Sequence, residues 1–203
     1  MCNCSRSVSL GFTDEMFPQG VHMCYFYNDD EERRSIIPEF IASGLNTNER
    51  TGYFAQLLPA PDLLGSLKSM GVDVPGEERE GHFHLSSTES TYHPEGVFDP
   101  DKMIGNLHAF YSESLEKGFA GARVSGEMGW ALQDVPGSDR LLEDEAKVNL
   151  ALKKSPVTAI CQYNTNLFDG KTIMEVLRVH PLVIASGQVV HNPFFSMPED
   201  MEA

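Results

Sequence analysis

Short apolar runs alternate along the chain with segments whose apolar residues recur at helical spacing. VHMCYFY, residues 21–27, is continuous enough for a buried strand. RSIIPEFIASGL, residues 34–45, follows it with Ile36, Ile37, Phe40, Ile41 and Leu45 on one helical face. The same alternation predicts strands over 51–57, 81–87, 122–132, 155–164 and 182–190, and helices over 59–72, 100–119, 141–154 and 171–180. Prolines suit the start of the helix at 59–72, Gly71 suits its end, and Asp99 or Asp101 can cap the one after it. Several strands are apolar throughout rather than at every second position, as in a sheet covered on both faces. Strictly alternating strands and helices make that sheet mostly parallel. The expected fold is a single α/β domain, a three-layer αβα sandwich over residues 20–195, with residues 1–19 as an N-terminal extension and 196–203 as a tail.

Charge narrows the partners. Thirty acidic against fifteen basic residues give a formal net charge of −15 over 203 residues, a field that repels nucleic acid and anionic lipid. Neither direct nucleic-acid binding nor a membrane association is expected. No apolar run reaches transmembrane length and none near the N-terminus suits a signal-peptide core, so the expected compartment is the cytoplasm. Cys24 and Cys161 fall within strand-like runs, where thiols are ordinary in a reducing cell. Cys2 and Cys4 form a Cys-x-Cys with no further signal around it.

Five places carry candidate chemistry. His22 and Cys24 are two apart on a strand and share a face, which suits a soft metal or a small polar ligand as well as plain burial. His82 and His84 repeat that spacing in GHFHL. RVSGEMGWAL offers Arg123 and Glu127 as a potential ion pair, beside the single tryptophan, Trp130, and two glycines that allow close backbone approach. Cys161 and Tyr163 share a face in CQYN. His180, before Pro181, ends a helix. His22, Cys24, Cys161 and His180 together make a possible metal-ligating set, although paired zinc-finger spacing is missing. Because open α/β sheets bind ligands beyond the carboxyl ends of their strands, the candidate side chains are expected to gather there.

No GxxxxGK[ST] loop, GxGxxG turn or GxSxG elbow occurs, so no catalytic motif is present and no nucleotide is expected. The segment after the first strand, Asn28 to Arg34, stands where a phosphate loop would, yet it has no glycine and four carboxylates. A degenerate ATPase that still holds nucleotide is therefore disfavoured.

GVHMCYFYNDDEERRSIIPEFIASGLNTNERTGYFA, RVSGEMGWAL, LLEDEAKVN, AICQYN and VLRVHP, in this order, resemble the MEDS domain, the methanogen/methylotroph sensory domain. The resemblance implies a RecA/KaiC-like fold that has lost its phosphate loop. It implies a non-catalytic sensor of small hydrocarbon derivatives or methylated compounds, feeding a histidine kinase or a transcription regulator. The positions it brings forward are His22, Cys24, Arg123, Glu127, Trp130, Glu143, Glu145, Cys161, Tyr163 and His180. The expected ligand site is a crevice lined by Trp130 and Tyr163, with His22, Cys24, Arg123 and Glu127 orienting the ligand. The alternative is a metal- or thiol-based redox sensor using His22, Cys24, Cys161 and His180. No output segment follows in these residues, so a free-standing sensor acting through a separate partner and a segment of a longer protein both stay open, as does a homo-oligomer.

Overall fold

The structure is a computed structural model that describes residues 6–56, 60–79 and 81–196, with the backbone alone for residues 75, 77 and 79. Cys2, Cys4 and residues 197–203 lie outside the described residues. Three-residue strands β1 (Ser7–Ser9) and β2 (Met16–Pro18) pair first as a separate hairpin. The rest follows the expected order with two short helices added, at 74–79 and 88–92: β3 (His22–Tyr27), α1 (Asp30–Asn46), β4 (Glu49–Ala55), α2 (Pro61–Ser69), α3 (Val74–Arg79), β5 (Phe83–Ser87), α4 (Thr88–Tyr92) and α5 (Pro100–Glu116). Then come β6 (Gly121–Glu127), α6 (Leu141–Leu152), β7 (Thr158–Asn164), α7 (Gly170–Val179), β8 (Leu182–Ala185) and β9 (Gln188–His191). No helix among the described residues is long and apolar enough to cross a membrane.

Seven strands make one sheet in the order β5-β4-β6-β7-β3-β8-β9, parallel except for β9 against β8. Alternation along each strand divides the side chains between two buried layers. Met23, Tyr25, Tyr53 and Ile160 meet Phe40 and Ile41 of α1 and Leu67 of α2. Cys24, Phe54, Val124, Ala159 and Tyr163 meet Leu107 of α5, Val148 of α6 and Val176 of α7. Both layers remove large apolar surfaces from water, which is why the strands read as continuous apolar runs.

Local departures from the expected elements have local causes. Residues 182–190 were expected to form one strand. They fold back at Ser186 and Gly187, both at positive φ, the two-residue turn that matches strand twist. The strand expected over 122–132 stops at Glu127, and Met128–Leu132 continues as a 3-10 turn. The hairpin of β1 and β2 lies within the segment read as an extension, and its Leu10 and Phe17 join the layer around α1.

Only Asn28 and Asp29 separate β3 from α1. Asp29 caps the helix by accepting the Glu32 N–H at 2.8 Å, and Asp30, Glu31 and Glu32 fill the first turn. A helix N-terminus that could meet a phosphate is thus served by the chain's own carboxylates.

Candidate functional site

The layer beneath α6 and α7 holds a cluster assembled from four elements. His22 comes from the first position of β3 and Cys161 from the middle of β7. Parallel pairing sets Cys24 opposite Cys161 and His22 opposite Ala159, so His22 and Cys161 are diagonal neighbours on one face. Glu145 reaches in from α6. His180 caps the carboxyl end of α7 with an extended backbone, as a residue before proline prefers. The His22, Glu145 and His180 side chains are almost wholly sequestered from solvent, and Cys161 is buried with them.

Glu145 is the hub. Tyr163 Oη donates to its Oε1, and Cys161 Sγ donates to Oε2 at 3.4 Å. His22 Nε2 lies 3.1 Å and His180 Nε2 3.4 Å from the same Oε2. The two imidazoles lie against one another with centroids 4.2 Å apart. Burial by itself would raise the Glu145 pKa, but the facing imidazoles of His180 and His22 outweigh it and hold the carboxyl well below the usual range. Burial, then Glu145, pushes the Cys161 thiol and the Tyr163 phenol far upward, so both stay protonated donors. Burial, then the neighbouring His180, lowers His22.

Reading the residues themselves singled out His22, Cys161, Tyr163 and His180, whereas Glu145, the partner that joins them, was brought forward by the family resemblance alone and given no role. Glu145 lies in LLEDEAKVN at the spacing of Leu141, Val148 and Leu152. A carboxylate on the apolar stripe of a helix is the signal that marks it. The cluster does not sit beyond the carboxyl ends of the strands, where the candidate residues were expected to gather. His22 opens β3, and the cluster lies on the sheet face rather than at its edge.

The other expected residues go elsewhere. Cys24 shares the face of His22, but its thiol points to Leu182 O at 3.7 Å instead of joining the cluster. The Arg123–Glu127 ion pair does not form. Four residues of strand span about 13 Å at roughly 3.3 Å per residue, too far for the two side chains to meet. Arg123 instead lies under α1, where its Nε donates to Glu49 Oε2 at 2.6 Å, Nη1 to Phe40 O at 2.8 Å and Nη2 to Ser9 O at 3.1 Å. Gly44 of α1 leaves the space the guanidinium stem fills, since a Cβ there would collide with it.

Glu127 stands at the strand ends and pairs with Arg33, near the start of α1, at 3.1 Å. Tyr53 Oη donates to the same oxygen, and Gln56 N donates to the other at 2.9 Å. The ends of β4 and β6 are therefore tied to α1. Arg33→Ala is expected to cost about 1–2 kcal/mol, the range of a half-buried charged hydrogen bond. A urea titration reads it, and an unchanged midpoint would remove the tie. Trp130 is wholly buried among Tyr92, Phe98 and His93 and lines neither of the cavities described next. The glycines around Glu127 make room for protein rather than ligand: Gly126 lies under the Tyr92 hydroxyl and Gly129 beside the Gln56 amide. His82 stacks on Phe119, and the exposed His84 faces a cleft.

That cleft, about 370 Å³, opens between α5 and the sheet and is lined chiefly by Phe54, Met103, Leu107, Phe110 and Val124, with His84, Ser86, Ser90, Thr91 and Asn106 as its polar groups. Phe54, Met103, Leu107 and Val124 also bound a narrow inner slot of about 30 Å³, which runs past Tyr92 to Asp144, Glu145 and Cys161. The slot is apolar until its inner end. Asp144 Oδ1 has no hydrogen-bond partner there, and burial, then Glu145, raises the Asp144 carboxyl well above its usual range. No sequence feature marks the cleft. Its lining residues read as ordinary core, and the gap depends on how far α5 stands from β4 and β5.

The chain thus combines a mostly parallel α/β sheet, a short acidic turn after the first strand of that sheet, and a polar cluster buried beside an apolar cleft. Residues 21–181 match the family described as MEDS, the methanogen/methylotroph, DcmR sensory domain. The chain belongs to this family. It is similar to the transcriptional repressor DcmR of Methylorubrum extorquens, 21% identical over 160 residues, with 78% of this chain and 57% of the repressor covered. The chain thus spans a little over half of that relative's length. Its fold matches a KaiC-like protein from Pyrococcus horikoshii OT3, with a TM-score of 0.62 and 14% identity over 88% of this chain and 79% of that one. It also matches the flagellar accessory protein FlaH of Methanocaldococcus jannaschii, with a TM-score of 0.61 and 12% identity over 91% and 84%.

Proposed function

We propose that the chain is a non-catalytic input module that takes a small, weakly polar hydrocarbon derivative into the cleft under α5 and passes its occupancy to a regulatory partner. The shared walls of cleft and slot carry this reading: Phe54, Met103, Leu107 and Val124 line both, and the slot reaches Asp144, Glu145 and Cys161. Apolar walls with few polar groups are the usual composition of a small-molecule site. A cavity needs roughly 10–15 Å³ to hold one water-sized group, so the 30 Å³ slot admits an end group of one or two heavy atoms. The buried Asp144 carboxyl, whose Oδ1 has no hydrogen-bond partner, offers that end a polar contact.

Signalling needs two states with different affinity for the ligand. Met103, Ile104 and Leu107 of α5 form the outer wall of the slot, so filling it bears directly on how α5 sits over the sheet. The DcmR relative is named a transcriptional repressor, and a transcription regulator or a histidine kinase is the partner class this module would serve. A thiol redox sensor fits less well. Burial, then Glu145, raises both Cys24 and Cys161, and a protonated, enclosed thiol is slow to oxidise.

Thermal-shift screening with one- to four-carbon halides, alcohols and methylated compounds tests the site. A ligand at 100 times its Kd adds about 2.7 kcal/mol, which raises Tm by about 5–11 °C in a domain of this size. Val124→Phe, which fills the junction of cleft and slot, is expected to fold and to lose the shift. A panel without effect, or a shift that survives Val124→Phe, would reject the cleft.

A further inference from the structure

Two histidines in the buried cluster are fixed in the same tautomer by groups that can only accept. His180 Nδ1 lies 2.8 Å from the Val176 carbonyl, so that nitrogen carries the hydrogen. His22 Nδ1 lies 3.2 Å from Asn149 Oδ1. The Asn149 amide is oriented by its own two donations, to Glu145 O at 3.1 Å and Val179 O at 2.7 Å, so its oxygen must be the atom facing His22. Each ring, when neutral, therefore turns an Nε2 lone pair inward, and only a cation there, a proton or a metal ion, lets it stabilise the Glu145 carboxylate. Both lone pairs face Glu145 Oε2, and His22 Nε2 also faces Cys161 Sγ at 3.5 Å. His180 Nε2 is wholly buried and makes no hydrogen bond. Two lone pairs aimed at one carboxylate oxygen in a medium of low dielectric repel one another unless a cation stands between them.

We infer that His22 Nε2, His180 Nε2, Glu145 and Cys161 form a tetrahedral site for a divalent transition metal of the zinc class. The four ligand atoms lie within 4.8 Å of one another, and four separations among them are 3.1, 3.4, 3.4 and 3.5 Å. A zinc tetrahedron with bonds of about 2.0–2.3 Å has edges of about 3.3–3.7 Å, so small shifts complete the coordination. Two imidazoles, one carboxylate and one thiolate form a borderline-soft donor set that suits zinc and excludes magnesium or calcium. The Nδ1 acceptors, Asn149 and Val176 O, are the outer partners that orient metal-ligating histidines. Binding deprotonates Cys161 and releases that proton to solvent; it requires no redox partner. The inner slot, which reaches Cys161 and Glu145, gives the ion a way in. The site does not depend on an organic molecule occupying the cleft.

Cobalt(II) tests it, because tetrahedral thiolate coordination gives intense d–d bands and a thiolate-to-metal charge-transfer band. The probe is cobalt chloride added to chelator-stripped, untagged full chain carrying Cys2→Ser and Cys4→Ser, which silences the terminal thiols. One equivalent is expected to bind with both spectral features, zinc is expected to displace it, and zinc is expected to raise Tm. Cys161→Ser should lose the charge-transfer band, whereas Cys24→Ser should keep it. If Cys161→Ser fails to fold, Glu145→Gln on the same background is expected to weaken cobalt binding by at least tenfold. A chain that keeps its native circular dichroism yet shows neither spectral feature nor a zinc-dependent Tm would overturn the site. It would leave a proton as the cation between the histidines. A charge-transfer band that survives Cys161→Ser would overturn it equally. Neither result bears on thermal shifts from organic compounds in the cleft, so the two readings fail independently.

Discussion

Arg123→Met is expected to lower the free energy of unfolding by about 3 kcal/mol, seen as a fall of about 6–12 °C in Tm. The Arg123 and Glu49 side chains are both fully buried, and removing one member of a buried pair leaves the other charge uncompensated, which costs about 3–5 kcal/mol. The lower end applies because Arg6 also donates to Glu49, at 2.8 Å, from a less buried position. The loss extends beyond the pair, since Arg123 also satisfies the Phe40 and Ser9 carbonyls. It thereby ties α1, the N-terminal hairpin and β6 to one side chain. Arg123→Lys keeps the charge but lacks the planar fork that serves separate acceptors, so it is expected to recover only part of the loss. Arg123→Met with Glu49→Gln should be more stable than Arg123→Met alone, because the uncompensated charge is gone. Denaturation followed by Trp130 fluorescence measures all three. A single Arg123→Met variant within 1 kcal/mol of the parent would mean the pair is solvated in solution.

Arg123 also shows where a sequence ceases to be legible. Residue type and spacing singled it out, but its partner is Glu49 rather than the Glu127 they suggested. A four-residue interval brings side chains together on a helix and separates them on a strand. Once β6 is accepted as a strand, Glu127 is out of reach and a distant residue must serve. Glu49 does so because β4 pairs with β6 and sets Glu49 beside Gly121, a register no sequence interval states. The alternation of strands and helices was legible because it depends on burial of each segment separately. The short strands of the first hairpin, SVS and MFP, are too brief to show a period. The Ser186–Gly187 turn, by contrast, was marked by its dipeptide and deserved more weight than the apolar residues around it.

The cluster was legible in a different way. His22, Cys161, Tyr163 and His180 are reactive residues in apolar runs, and a polar side chain that must be buried seeks a partner. His22 and Cys161 meet because β3 and β7 are neighbours in the sheet, a pairing the sequence does not state. Glu145 completes the cluster, since a carboxylate on a buried helical stripe is stable only among donors. The cleft offered no comparable clue. Phe54, Leu107 and Val124 belong to the core in any α/β domain, and a cavity among them is a property of helix placement.

Trp130 is the residue for which the geometry most changes the expected experiment. Sequence reasoning placed its indole on the ligand, so that Trp130→Ala would weaken binding and spare the fold. In the structure the indole stacks on Tyr92 with centroids 4.9 Å apart at 16°, meets Phe98 at 4.7 Å, and has no exposed surface. Trp130→Ala is therefore expected to cost about 3–5 kcal/mol through lost contacts and the cavity left behind, a fall of about 6–20 °C in Tm. Its effect on the cleft is indirect and passes through Tyr92, which walls the inner slot while its hydroxyl covers Gly126. Trp130→Phe keeps an aromatic surface behind Tyr92 but vacates part of the indole volume. Its fold is expected to survive, and Tyr92 gains room to retreat from the slot. Compounds one carbon longer than those that stabilise the parent should then stabilise the variant. Circular dichroism is the readout, since each substitution removes the single tryptophan. Loss of ligand-induced stabilisation in Trp130→Ala with an unchanged Tm would put the indole in contact with ligand and reject the supporting role.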